Sequence, residues 1–429
     1  MDIDNRVAIC ALRRPTEGDS HFARRLAELQ GLCNAAGTKD VAVFVQNMEE
    51  PHRSLYLGSG KVAEIADFVK EEEIPLAVFD GELSPAQVRN LESRLAIRVV
   101  DRTQLILDIF AMRARTSEGR LQVEIAQLHY LLPRLTGFGA EMSRLGGGVG
   151  TRGPGETQLE TDRRHIRNRI NHLEEKLAVI RRQRQTQRQK RQGSTPVIAL
   201  VGYTNAGKTT LLERWTRDRG GRTTDAGQAR LFDTLDPVAR RVKAGSTASL
   251  VVMDTVGFIE NLPHLLVDAF RATLEEVNMA DAIVLVVDSV DHPMVKLDTT
   301  YQVLNEIDAL DKPVITFFNK VDSAETYPPP DARAQVNIYG SATNGQNLER
   351  LYGEVDTLLG LNPVTIEVAG NPQSPEFWDV LMTSGRVLEA EVLPDRGMRV
   401  KLEVERRRQH EVMSQFAEGN FGFSGKGLD

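Results

Sequence analysis

Residues 202–209 read Gly202-Tyr203-Thr204-Asn205-Ala206-Gly207-Lys208-Thr209. This is the spacing G-x-x-x-x-G-K-[ST], and the chemistry it points to is phosphate binding. Two glycines let backbone N–H groups turn inward around phosphate oxygens. Lys208 supplies a point charge for the β- and γ-phosphates, and the Thr209 hydroxyl suits Mg²⁺, with Thr210 next in line. The motif is informative only between a strand and a helix. Here the apolar run Val197–Val201 precedes it and Leu211-Leu212 opens a helical pattern after it. An ordinary glycine turn before a helix is the plainer alternative, and three motifs further along the chain argue against it.

Asp254-Thr255-Val256-Gly257 ends the strand-like run Leu250–Met253. A carboxylate at Asp254 suits Mg²⁺, and the Gly257 N–H suits a γ-phosphate. Asn319-Lys320-Val321-Asp322 ends a second run, Val314–Phe318, and resembles the N-K-x-D signature of GTPases. Asp322 is acceptor-only when ionised, so it matches the two N–H donors of guanine and leaves adenine unsatisfied. A buried unpaired polar group costs about 1–3 kcal/mol, so GTP and GDP are the expected ligands. Ser341-Ala342 resembles the short loop that closes over the base. Thr234, within Leu231–Pro237, is the candidate threonine that closes onto Mg²⁺ and the γ-phosphate, although a plain surface threonine reads the same locally. Lys208, Thr234 and Gly257 are thus the expected catalytic positions, and Thr209, Thr234 and Asp254 the expected metal ligands. Asn205 is similar to the asparagine with which some GTPases hold K⁺, but an asparagine that merely tolerates the loop's backbone angles reads the same way. Phe258 follows Gly257 where many GTPases carry glutamine. A phenyl ring cannot orient water, so slow unaided hydrolysis is expected. The competing reading is that Phe258 packs on Leu262 or Phe270, and that Thr234 or backbone holds the water.

These elements set the layout. Residues 1–104 show strand-like runs at Val7–Cys10, Val41–Gln46, Ala77–Asp80 and Val99–Asp101, separated by helical patterns, which predicts a small parallel α/β domain. Residues 105–192 predict a long antiparallel helical hairpin with a glycine-rich tip at 134–157. Leu105, Ile109, Met112, Leu121, Ile125, Leu128 and Leu132 make one apolar stripe; Ile166, Ile170, Leu173, Leu177 and Ile180 make the other. Arms of roughly 30 residues would project ~45 Å. Residues 195–361 predict a GTPase domain, a mostly parallel sheet with helices on both faces, and 362–429 a small C-terminal α/β domain. The fold class is multidomain α/β.

Charge is uneven. The net formal charge is −7, yet residues 163–192 hold eleven Lys or Arg and two Glu, Glu174 and Glu175. With Arg134, Arg144 and Arg152 in the tip, this makes a candidate polyanion-binding arm, although from charge alone a solvated helix face reads the same way. Two cysteines, Cys10 and Cys33, suggest neither a disulfide framework nor a zinc site. The acidic N-terminal residues do not resemble a secretory or transit signal, and the apolar runs are too short to span a bilayer. A cytoplasmic monomer is expected.

Asp254–Ile259, Asn261-Leu262-Pro263, Leu266–Phe270 and Thr273–Glu276 together resemble the HflX family of translational GTPases. So do Leu57–Val62, Leu83–Gln87 with Asn90-Leu91-Glu92, Asp101-Arg102-Thr103 with Leu105–Phe110, and Gly147–Glu160 leading into Asp162-Arg163-Arg164. The likeness runs through residues 50–320. Asp233 departs from the family pattern, which has alanine there, and adds a negative charge near the γ-phosphate. The resemblance implies a GTPase on the large ribosomal subunit that splits or rescues stalled or idle ribosomes under stress, its hairpin touching ribosomal RNA and its tip reaching toward the peptidyl-transferase region. A nucleotide-switched RNA-binding platform for subunit assembly is the alternative. A P-loop small-molecule kinase would leave Asn319 and Asp322 without a task.

Overall fold

The computed structural model describes residues 5–114, 116–137, 154–189, 195–220, 238–245, 248–259, 277–394, 397–418 and 426–427. The chain divides into two compact units, one made mainly of residues 1–190 and the other mainly of 191–429.

The first unit begins with a four-stranded parallel sheet. Its strands are β1 (Arg6–Arg13), β2 (Lys39–Asn47), β3 (Leu76–Phe79) and β4 (Arg98–Asp101), in the order β2-β1-β3-β4. Helices α1 (Asp19–Ala35), α2 (Ser59–Glu71) and α3 (Pro85–Leu95) connect them. The start of α3 has a local cause. Ser84 Oγ accepts from Gln87 N at 3.2 Å, Ser84 N donates to Gln87 Oε1 at 2.8 Å, and Pro85 sits where no N–H is needed. Gly58-Ser59-Gly60-Lys61 is the turn into α2, with Gly58 as its N-cap.

The single long first arm expected from Leu105–Leu132 is two helices. α4 (Arg102–Arg113) packs against α1 and β4, and α5 (Ser117–Leu131) starts afresh after it. Thr116 makes the break, its hydroxyl accepting from Gly119 N at 3.0 Å. Only α5, about 22 Å long, pairs with the 36-residue helix α6 (Pro154–Gln189). Ile125, Leu173 and Leu177 bury their side chains in the seam, flanked by Leu121 and Leu128. Each such burial contributes about 1.5–3 kcal/mol. The arm is therefore shorter on one side than the ~45 Å expected, and α6 already begins at 154, inside the stretch 134–157 read as a loop. Arg144, Arg152, Thr234 and Asp233 lie outside the described residues.

Arg134 departs from its expected role as an exposed RNA contact. It donates to Tyr130 O at 2.9 Å, Leu83 O at 2.9 Å and Asp101 Oδ2 at 3.0 Å, and its guanidinium lies 3.3 Å from the centre of the Tyr130 ring. Both its Nη atoms donate inside the domain.

In the second unit, β5 (Val197–Gly202), β6 (Val238–Ala244), β7 (Ala248–Asp254), β8 (Ala282–Asp288), β9 (Val314–Asn319) and β10 (Val336–Tyr339) form one sheet in the order β10-β9-β8-β5-β7-β6. Every pairing is parallel except β6 with β7. β8 reads Ala-Ile-Val-Leu-Val-Val-Asp and is buried throughout, as a strand covered on both faces must be. Ala282, Val284 and Val286 enter one core with Trp215 and Tyr352; Ile283, Leu285 and Val287 enter the other with Phe258 and Phe318. Helices α7 (Lys208–Asp218), α8 (Pro293–Glu306) and α9 (Leu348–Leu358) complete these layers.

The C-terminal part holds β11 (Pro363–Gly370), β12 (Arg386–Val392), β13 (Met398–Glu405) and β14 (Lys426–Gly427) in the order β12-β13-β11-β14, all antiparallel. Helices α10 (Pro375–Ser384) and α11 (Gln409–Glu418) cover it through Phe377, Leu381, Val412 and Phe416. α10 and β14 were not expected from the sequence.

Candidate functional site

Three loops meet at the C-terminal ends of β5, β7 and β9, where open α/β sheets place ligands. The first runs from Gly202 to the start of α7. Gly207 has φ +95°, and a Cβ there would stand 2.2 Å from Asn319 Nδ2, so only glycine fits. Asn205 has φ +61°, a conformation asparagine tolerates, and this accounts for its type without any ion. Ala206 is buried, Thr204 is 5% exposed, and Thr210 faces outward on the first turn of α7.

Lys208 is buried at 6% exposure. Its Nζ donates to Gly202 O at 3.0 Å and Tyr203 O at 2.9 Å. Burial lowers its pKa to about 8, with Asp254 pulling the other way. An ammonium held in place at such cost lacks a counter-anion of sufficient charge, and phosphate oxygens would supply it.

The second loop follows β7. Asp254 is fully buried and its Oδ2 accepts from Thr209 Oγ1 at 2.7 Å. Two oxygen donors so close suit a hard cation such as Mg²⁺. A Cβ on Gly257 would meet Thr204 Cα at 2.8 Å and Lys208 Nζ at 3.1 Å, so the backbone at 257 lies against the lysine. Phe258 completes the contact: its N–H donates to Gly202 O at 3.2 Å and its carbonyl accepts from Thr204 N at 2.7 Å. The ring, 1% exposed, turns away into the core with Val201, Met253 and Leu285. Its expected partners Leu262 and Phe270 lie outside the described residues.

The third loop follows β9. Asn319 ties the site together: its Nδ2 donates to Ala206 O at 2.8 Å, and its Oδ1 accepts from Ala342 N at 2.9 Å. Lys320 has φ +64° and donates to Asp288 Oδ2 at 2.7 Å. Asp288, at the end of β8, was not singled out in the sequence, because an acidic residue ending an apolar run has many plain explanations. Asp322 is exposed, and a hydrogen bond from Ser341 foremost holds its carboxyl below the usual range. It is therefore an ionised acceptor at neutral pH. Ser341 and Ala342 are buried beside it. All the expected residues of the three loops converge, Thr234 alone falling outside the described part.

Comparison with known proteins agrees with this geometry. The chain matches family models described as "GTP-binding GTPase N-terminal" over residues 23–111, "GTP-binding GTPase Middle Region" over 113–191 and "50S ribosome-binding GTPase" over 197–320. It is 41% identical to the GTPase HflX of Caldanaerobacter subterraneus subsp. tengcongensis, covering 94% of this chain and 91% of that protein. It is 44% identical to the GTPase HflX of Alkalihalophilus pseudofirmus, over 83% of each chain. It is also 44% identical to the GTPase HflX of Escherichia coli, over 77% of this chain and 80% of the relative.

Proposed function

Since this chain belongs to the HflX family and is a GTP-binding and GTP-hydrolysing protein, we propose that it couples hydrolysis to work on the large ribosomal subunit. In that work it splits or rescues stalled or idle ribosomes in the cytoplasm. One observation carries the ribosomal part. Outside the GTPase sheet the chain builds a 36-residue helix whose described polar face carries exposed Arg164, Arg167, Lys176 and Arg182, in a protein that is acidic overall. Such a helix suits a phosphate backbone. Among the described residues no helix is long and apolar enough to cross a membrane.

At the nucleotide site Lys208 would neutralise charge on the β- and γ-phosphates, and Thr209 and Asp254 would hold Mg²⁺, which supplies further charge there. Asp322 would read guanine N–H donors while Ser341 and Ala342 close over the base. Asn319 holds the phosphate loop and the base loop in register. Gly257 would offer its N–H to the γ-phosphate, and Thr234 would complete the set. Positioning and electrostatics are most of phosphoryl-transfer catalysis, and these residues supply both. The Phe258 ring is buried and has no polar atom, so no side chain at that position orients water. The large subunit is the proposed source of the missing help.

Gradient sedimentation tests the reading. Whole ribosomes are mixed with the protein and GTP, a non-hydrolysable analogue, or no nucleotide. Loss of whole ribosomes into subunits with GTP supports it, and equal loss with the non-hydrolysable analogue would place hydrolysis after splitting, at release. Co-migration without splitting would replace it with the assembly-platform reading.

A further inference from the structure

Asp101 and Arg134 belong to stretches that the nucleotide site does not use, and they meet in the first unit. Asp101 ends β4 and is fully buried, yet four donors satisfy its carboxylate. Oδ1 accepts from Gln104 N at 2.9 Å and from the Tyr130 hydroxyl at 2.8 Å. Oδ2 accepts from Leu83 N at 3.0 Å and from Arg134 Nη2 at 3.0 Å. One side chain thus joins the sheet, the start of α4, the turn before α3 and the far end of α5. Burial and then the Asp101 charge push the Tyr130 phenol well above its usual pKa, so it remains a donor.

The opposite end of α5 is also tied. Thr116 caps it, and Arg120 Nε reaches back to Ala114 O at 3.2 Å. A helix bonded at one end can swing about that end. A helix bonded at both ends has one orientation. Since α6 packs on α5 through Ile125, Leu173 and Leu177, fixing α5 fixes α6. The buried Asp101 carboxylate has all four of its acceptor positions filled, so displacing Arg134 or Tyr130 leaves a buried charge short of donors.

We propose that Arg134, acting through Asp101 and Tyr130, is the positioning residue that holds the α5–α6 arm at one angle to the N-terminal sheet. Ribosomal contact then depends on this pre-set angle, a consequence that rests on the reading given under Proposed function. An arm already set in its binding orientation loses less freedom on docking than a swinging one.

The test uses the full chain with spin labels at Ala63 on α2 and Val179 on α6, both exposed. Arg134→Met keeps the side chain's stem but removes its hydrogen bonds and its stacking on Tyr130. Tyr130→Phe keeps the ring and removes one hydrogen bond, which guards against loss of the fold. The wild type should give one narrow distance distribution, Tyr130→Phe a broader one and Arg134→Met the broadest, with Arg134→Lys recovering part of the order. For Arg134→Met, the concentration of large subunits giving half-maximal stimulation of GTP turnover should rise roughly tenfold. Unstimulated turnover and the maximal stimulated rate should not change. A distribution in Arg134→Met as narrow as in wild type overturns the proposal. Broadening in a protein whose wild type ignores ribosomal subunits would uphold the latch and instead refute the ribosomal reading.

Discussion

Raising the pH through 8 should weaken nucleotide binding and make it consume protons. Lys208 is the cause, because burial lowers its pKa from 10.5 to about 8. That difference is a penalty of about 3 kcal/mol on the charged form in the nucleotide-free protein. The sign comes from linkage. Between pH 8 and 10.5 the unfolded chain binds more protons than the folded one, so the nucleotide-free protein gains stability as pH rises through that window. Below 8 both states are protonated and the penalty is fully present. Bound phosphates reverse the preference and return the proton to Nζ. At pH 7 about a tenth of the free protein is neutral at Lys208, at pH 8 about half and at pH 8.5 about three quarters. Affinity should therefore fall by a few-fold from pH 7 to 8.5, with uptake rising toward one proton per nucleotide. Titration calorimetry with GDP, in buffers of different ionisation heat, reads this directly. From pH 7.5 upward the terminal phosphate, with its second pKa near 6, is mostly ionised and contributes little. Lys208→Arg supplies the control, since a guanidinium does not deprotonate and uptake should vanish. Equal uptake in wild type and Lys208→Arg, or none in wild type at pH 8.5, would refute the reasoning.

Other outcomes depend on the same geometry. Asp322→Asn should shift base preference from guanine toward xanthine nucleotides, because the amide reverses one hydrogen-bond polarity; competition binding with GDP and XDP checks it. Replacing Arg181, Arg182, Arg184 and Arg188 by Gln should weaken ribosome pelleting and flatten its salt dependence, each lost phosphate contact lowering the log–log slope by about 0.7–0.9, while unstimulated GTP turnover is unchanged. Asn205 adopts φ +61°, which an asparagine tolerates; if the backbone alone explains its type, hydrolysis should be equal in K⁺ and Na⁺ at equal ionic strength, and faster turnover in K⁺ would assign it the ion instead.

The loops that meet at the candidate nucleotide site were legible because their motifs are local. Strand, loop and helix are contiguous at 197–212, and Asn319 and Asp322 lie three residues apart. What joins those pieces was not legible. Asn319 reaches Ala206 across 113 residues and Lys320 reaches Asp288 across 32, and nothing beside Asp288 marks it as a partner. Arg134 was misread for the same reason. A basic residue before glycines looks like an exposed probe until Asp101, 33 residues earlier, is placed beside it. The split between α4 and α5 had two signals, Thr116 as a cap and the gap in the apolar stripe from Arg113 to Arg120, which reading Leu105–Met112 and Leu121–Leu132 as one stripe passes over. Ser374-Pro375 likewise marked the start of α10, where Ser374 Oγ accepts from Phe377 N at 3.4 Å. The parallel strands were easy because burial on both faces leaves runs such as Val197–Val201 and Ala282–Val287 with no polar residue.

Phe258 bears most directly on the central claim, because its buried ring leaves no side chain there to hold the attacking water. The decisive measurement is GTP turnover at saturating GTP, with and without purified large ribosomal subunits. If water positioning is the missing term, worth a few kcal/mol, turnover alone should be slow and subunits should raise it by at least about a hundredfold. Fast turnover by the protein alone, unchanged by subunits, would contradict the account.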